Sequence, residues 1–299
     1  MFISARKNKF SYFIFLLAAY FLAGCAGNNT STTSSLATFS TWNAVGPSTS
    51  ISFGQGSGLS SSVTLEQAVS SSNNATGNLS FDSSRNLSAY LVNNGAGSSI
   101  SINIANGDTI LKSYGGSSYL SFNSGRTQMG ILADPYYMGY EYQTYGAWGS
   151  YSSSSTSSHG YVLGNPTPAA SIPTAGTGTF VGSMAGYYTD RARNGYLAFA
   201  NLTAAYDFAA RSLSLSTSNS AITGLPSGQT VSAPGLNMTS TLTYSANTNR
   251  LTGTVSTTNG MTGNMVGQFY GPAANEVGGT FSVQYPNIGT LVGGFGGKR

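Results

Sequence analysis

The chain has 299 residues, of which 7% are charged and 12% aromatic, with one cysteine, one histidine and a formal net charge of +4. A single cysteine excludes a disulfide framework and any cysteine-based metal site. The basic excess belongs to the first 24 residues; behind them nine cations face eight acids without a basic patch, which excludes a nucleic-acid footprint.

Arg6, Lys7 and Lys9 precede an uncharged run, FSYFIFLLAAYFLA, over residues 10–23. That length suits the apolar stretch of an export signal and falls short of the roughly 20 residues needed to span a bilayer. Leu22, Ala23, Gly24 and Cys25 then resemble a bacterial lipobox, with small residues admitting a peptidase and a sulfur as acyl acceptor. Residues 1–24 are therefore read as a lipoprotein signal peptide and Cys25 as the lipid anchor. Two or three acyl chains on one residue anchor stably where a single chain does not. Ala26 follows rather than Asp, which resembles lipoproteins sent to the outer membrane. Residues 25–35 complete the lipidated Cys with a polar, low-complexity tether, AGNNTSTTSS.

The rest reads as all-β. No window outside the signal shows a 3.6-residue period, apart from a turn or two of helix at 63–70. Over 36–136 short alternating runs at 78–82, 87–92, 99–104, 109–114 and 119–122 are separated by turn residues such as Asn94-Gly95 and Asn106-Gly107. The clearest hairpin is SISINIANGDTILKSY, because both residues of an Asn-Gly turn take positive φ readily.

Beyond residue 137 the strands lengthen and become aromatic. Around 140–151 both parities carry aromatic residues, so neither face is simply wet. Candidate strands follow at 138–149, 177–188, 195–200, 202–209, 212–217, 239–257 (as a hairpin), 262–270, 277–285 and 290–295. Leu202, Ala204, Tyr206 and Phe208 alternate with Thr203, Ala205, Asp207 and Ala209, and Val277, Gly279, Phe281, Val283 and Tyr285 alternate with polar or small residues. About eight antiparallel strands fill this length, which suits a soluble barrel whose interior side chains just fill. The alternative, a bilayer-spanning barrel, requires an apolar outward band, whereas the outward parity holds Thr, Asp, Ser and Gln.

The stretch GQFYGPAANEVGGTF at 267–281 and the terminal GGFGGKR resemble the closing hairpin of the barrel domain in transferrin-binding protein B and related surface lipoproteins. Tyr145-Gly146-Ala147-Trp148 looks like that family's first barrel strand, GYVLGNPTP at 160–168 and GTGTFVGSMAG at 176–186 like its next loop and strand, and Asp207-Phe208 like its strand end. The resemblance implies a handle-like antiparallel β domain at 36–136 followed by an eight-stranded antiparallel β-barrel at 137–299. This is one such unit, where transferrin-binding protein B has two. In physical terms, Gly271-Pro272 ends a strand, Ala273–Asn275 turn the chain, and Gly278-Gly279 admit a close neighbour.

No catalytic, cofactor or metal site is expected. His159 lies in SSSSTSSHGY, which reads as an exposed loop, and the carboxylates are scattered without a close pair. No Gly-rich phosphate loop has its required context. Among 19 tyrosines, Tyr136-Tyr137 and Tyr187-Tyr188 are the candidates to ligate haem iron, against the plainer reading of packing aromatics. The expected function is a non-catalytic outer-membrane lipoprotein, displayed at the cell surface, that binds an unidentified protein or small ligand through loops at one barrel end. An iron carrier and haem are the ligand classes to consider, and the Gly/Ser-rich 149–176 stretch reads equally as a recognition loop or as a disordered linker. The alternative is a structural or adhesive envelope lipoprotein.

Overall fold

The computed structural model describes residues 41–54, 63–64, 74–113, 117–151, 155–192, 194–225, 227–285 and 288–299. The signal, Cys25 and the tether lie outside these residues. So does most of the helical segment expected at 63–70, whose described part, Val63–Thr64, is a short strand. The described residues all belong to one compact unit, Thr33–Arg299.

Nearly everything is strand, in two sheets. The first uses β1 (Thr41–Gly54), β2 (Val63–Thr64), β3 (Asn74–Phe81), β4 (Leu87–Asn93), β5 (Ser99–Asn103), β6 (Thr109–Ser113), β7 (Ser118–Phe122), β8 (Gln128–Ala133), β9 (Gln143–Tyr151) and β10 (Ser155–Gly164). Their order is β5-β4-β3-β1-β10-β9-β8-β7-β6, with β2 on β1. Nine strands paired antiparallel leave the two end strands running the same way, so an antiparallel ladder cannot join them and the sheet curls without closing. The hairpin expected over 99–114 is therefore not formed. Asn103 caps a 3-10 turn at Ile104–Asn106, Gly107 takes φ 83°, and the chain leaves β4 to pair with β7. Side chains cover the open edge instead: Asp108 accepts from Asn103 N at 2.9 Å and Gln128 donates to Ser99 O at 2.8 Å.

The second sheet is a closed up-and-down barrel of eight strands: β11 (Thr177–Asp190), β12 (Gly195–Asp207), β13 (Ser212–Gly224), β15 (Met238–Thr243), β16 (Leu251–Thr257), β17 (Thr262–Tyr270), β18 (Glu276–Tyr285) and β19 (Gly289–Lys298). A short β14 (Thr230–Ser232) adds to β13. Closure brings first and last strands together, from Val181 opposite Lys298 to Asp190 opposite Gly289. The expected alternation holds: Leu202, Ala204, Leu213, Leu215, Phe281 and Phe295 fill the interior, while Thr203, Ser214 and Thr241 face out. The runs expected separately at 195–200 and 202–209 merge into β12, with a bulge at Phe199/Asn201.

The strand expected at 138–149 to open the barrel is β9 of the first sheet, and β10 joins it there. The chain passes from one sheet to the other over 165–176, not at 137. The reason lies in β9, whose two faces are both buried. Trp148 packs into the first-sheet core with Leu79, Tyr90 and Leu163, whereas Tyr145 and Ala147 pack against the barrel through Ala185, Tyr187 and Val292. Aromatics on both parities thus mark a strand sandwiched between two sheets. The approach is close enough to need glycine. A Cβ on Gly160 would lie 2.3 Å from Gly293 O, and one on Gly294 would lie 2.4 Å from Tyr161 O.

Backbone cannot yield there as a flexible side chain could. Gly294→Val is expected to cost roughly 3 kcal/mol, near the top of the range for overpacking, read as a lowered Tm. Gly125→Ala, whose new Cβ would meet nothing closer than 3.7 Å, should leave Tm nearly unchanged.

Candidate functional site

His159 was expected on an exposed loop and is instead a core residue of β10. It stands opposite Trp148, with ring centroids 3.9 Å apart and planes at 21°. The Asn94 amide nitrogen lies 3.3 Å from Nδ1 and the Ser157 hydroxyl 3.0 Å from Nε2, an arrangement that fits a neutral ring accepting from Asn94 and donating to Ser157. Burial holds its pKa down at about 4. The surrounding 149–176 stretch is likewise not one recognition loop: Gly149–Tyr151 end β9, and 155–164 form β10.

The tyrosine pairs do not converge. Tyr187 donates to Met129 O at 3.0 Å between the sheets, while Tyr188 donates to Ile288 O at 3.1 Å. Tyr136 stands edge-on to Phe81 under the Arg85 guanidinium, and Tyr137 is exposed.

The 267–281 motif does structural work along the sheet–sheet contact. After β17 ends at Tyr270, Gly271 takes φ 84° and residues 271–274 turn the chain. Thr167 straps this turn from outside, its hydroxyl donating to Gly271 O at 2.6 Å and its N–H to Phe269 O at 2.9 Å. Gly278 faces Val162 and Gln143 of the first sheet, and Gly279 lies under the Phe295 ring. Glu276 is 3% exposed, and its two oxygens accept from Glu141 N at 2.6 Å and Tyr142 N at 3.1 Å. Sequence spacing separated these two glutamates by more than a hundred residues, so nothing local revealed the contact.

One barrel end carries an aromatic cluster that reaches solvent. Phe180, Tyr206, Phe208, Tyr244 and Phe269 meet there with centroids 4.5–6.1 Å apart. The turn after β12 sets it: Asp207 accepts from Ala210 N, and Arg211 takes φ 52°, which returns the chain along β13. Phe208 is buried as the plug, whereas Tyr206 and Tyr244 remain half-buried. The Arg299 guanidinium lies 5.8 Å from the Tyr206 ring centroid and donates to Ala273 O at 2.7 Å, and exposed Arg211 flanks the group. Half-exposed tyrosines beside exposed arginines have the composition of an interface hot spot. On the outer wall, a shallow groove of about 810 Å³ is lined by hydroxyls, among them Ser214, Thr239, Thr241, Thr254 and Thr262.

Among the described residues no cluster of three or more His, Cys, Asp or Glu is arranged to hold a metal ion, and no helix is long and apolar enough to cross a membrane.

His159 makes stability depend on acid. Its folded pKa lies below the ordinary 6.5, so the unfolded chain binds its proton more readily and stability falls as pH drops from about 6.5 towards 4. Denaturant unfolding should show the wild type losing up to about 2 kcal/mol relative to His159→Gln between pH 7 and pH 5; an unchanged difference between the two proteins would contradict it.

Residues 172–299 match the family model described as the C-lobe and N-lobe beta barrels of Tf-binding protein B. No curated protein matches the sequence. Among solved structures, a transferrin binding protein B variant from Haemophilus parasuis Hp5 overlaps 75% of this chain and 51% of its own, at 16% identity and a TM-score of 0.45. Isotype 1 transferrin binding protein B from serogroup B Neisseria meningitidis overlaps 87% of this chain and 76% of its own, at 14% identity and a TM-score of 0.32. The chain spans about half the length of the Haemophilus protein. The family match and the closed eight-stranded meander, rather than these distant overlaps, carry the assignment: the barrel of this chain is a transferrin-binding protein B-like barrel.

Proposed function

We propose that this chain is a non-catalytic lipoprotein, anchored in the outer membrane through acylated Cys25 and displayed at the cell surface, that captures an iron-carrying protein. The observation that carries the reading is the match of residues 172–299 to the barrels of a protein named for binding transferrin. The leader supports the location: a basic start, an uncharged apolar run and Leu22-Ala23-Gly24-Cys25 agree in charge, length and chemistry. Residues 25–35 act as the tether that holds the folded part clear of the lipid.

The contact surface is the barrel end bearing Tyr206, Tyr244, Arg211 and Arg299. Tyrosine and arginine bring large area and directed donors at modest entropic cost, which is why they dominate protein interfaces. Asp207 fixes the turn beneath them, so the platform is preorganised.

Immobilised transferrin and other iron carriers test this directly. Capture of the purified chain by one of them is expected, weakened about tenfold to thirtyfold by Tyr244→Ala or Arg211→Ala. Undiminished capture by both variants moves the contact elsewhere, and capture by no carrier contradicts the reading. Separately, Cys25→Ala should abolish palmitate labelling and release the chain from the membrane fraction.

A further inference from the structure

We propose that Asn106 is a site of spontaneous covalent modification: the Gly107 nitrogen attacks its carboxamide, and the isoaspartate that results frees the pins holding the open edge of the first sheet. Asn-Gly is the pair most open to this chemistry, because glycine has no Cβ to shield its backbone nitrogen. The chain holds four such pairs, at Asn94, Asn106, Asn194 and Asn259, and the fold restrains three of them. Asn94 is 2% exposed, and its side-chain oxygen accepts from Ala96 N at 2.8 Å and Ser98 N at 3.0 Å. Asn194 gives its side-chain amide to the Asp190 carboxylate at 2.9 Å and its backbone N–H to the same group at 2.8 Å. Half-buried Asn259 accepts from the Thr257 hydroxyl at 2.6 Å, and its backbone N–H donates to Gly235 O at 2.8 Å.

Asn106 differs. It ends the 3-10 turn at Ile104–Asn106, both it and Gly107 are exposed, and its carboxamide has no partner among the described residues. The bond from Gly107 N to Ile104 O, 3.2 Å long, must open before the nitrogen can turn on the side chain. In the step itself that nitrogen bonds to the Asn106 Cγ, the Cγ–Nδ2 bond breaks, and ammonia leaves with the amide proton. Water then opens the cyclic imide at either carbonyl, giving aspartate or isoaspartate, with no change of oxidation state. Isoaspartate routes the main chain through the side-chain carbons and so lengthens the turn, and either product adds a negative charge beside Asp108. Asp108 is the pin of this edge: its oxygens accept from Asn103 N at 2.9 Å and Ser124 N at 2.7 Å, tying the end of β5 to the turn between β7 and β8. A longer turn displaces that carboxylate, and the like charge repels it.

Incubation of the purified full chain in mildly alkaline buffer, followed by tandem mass spectrometry of its peptides, tests the site. Amide-to-acid conversion at Asn106 is expected to lead that at the other three pairs by severalfold to about tenfold, the weight of the hydrogen bonds that must open first elsewhere. Exchange of the Asn103 and Ser124 amide hydrogens should quicken about tenfold in the incubated wild type and stay unchanged in incubated Asn106→Gln, whose longer side chain does not close the same ring. Conversion led by another pair, or none at Asn106, overturns the site. Conversion at Asn106 with unaltered exchange overturns its effect on the edge.

Discussion

Two backbones meeting without side chains between them is the constraint on which the molecule depends. Gly160 lies against Gly293, and Gly294 against Tyr161 and the carbonyl of Gly146. A polar group buried in that contact needs a protein partner, which the Gln143 amide and the Tyr270 hydroxyl lack. Glu276, Tyr140 and Tyr187 each satisfy this by bonding to backbone of the opposite sheet. Small residues make the approach possible, and the polar bonds fix its register.

The same contact explains the division of labour around the barrel. Where the first sheet covers it, the outward residues are Gly, Ala, Tyr and Val; where solvent covers it, they are Ser, Thr and Asn. Low charge is affordable on such a surface because hydroxyls hydrate well without salt bridges. Half-buried Tyr206 and Tyr244 stand with exposed Arg211 and Arg299 at one barrel end, while Tyr285 and Arg191 are exposed at the other.

The all-β class, the barrel and most of its strands were legible, because alternation at residues 202–208 and 277–285 survives in any closed antiparallel sheet. The turn at 271–274 and the close neighbour of Gly278-Gly279 were legible too, since proline and paired glycines have few other uses. Three features were not. Strand alternation shows that β9 is covered on both faces but not which sheet owns its hydrogen bonds, so the division was placed at 137. Asn106-Gly107 signals a turn without saying that its flanking strands pair elsewhere. A serine-rich neighbourhood made His159 look solvated, although its register partner is Trp148. The barrel-end cluster was foreseen only as loops; its residues come from β11, β12, β17 and two turns, a juxtaposition set by closure alone.

If the glycine contact unites the sheets, they should unfold as one. Both tryptophans, Trp42 and Trp148, lie in the first sheet, so indole fluorescence reports that sheet while far-ultraviolet circular dichroism reports both. Coincident denaturant midpoints for the two signals are the predicted result. A fluorescence transition separated from that of the barrel would contradict the account.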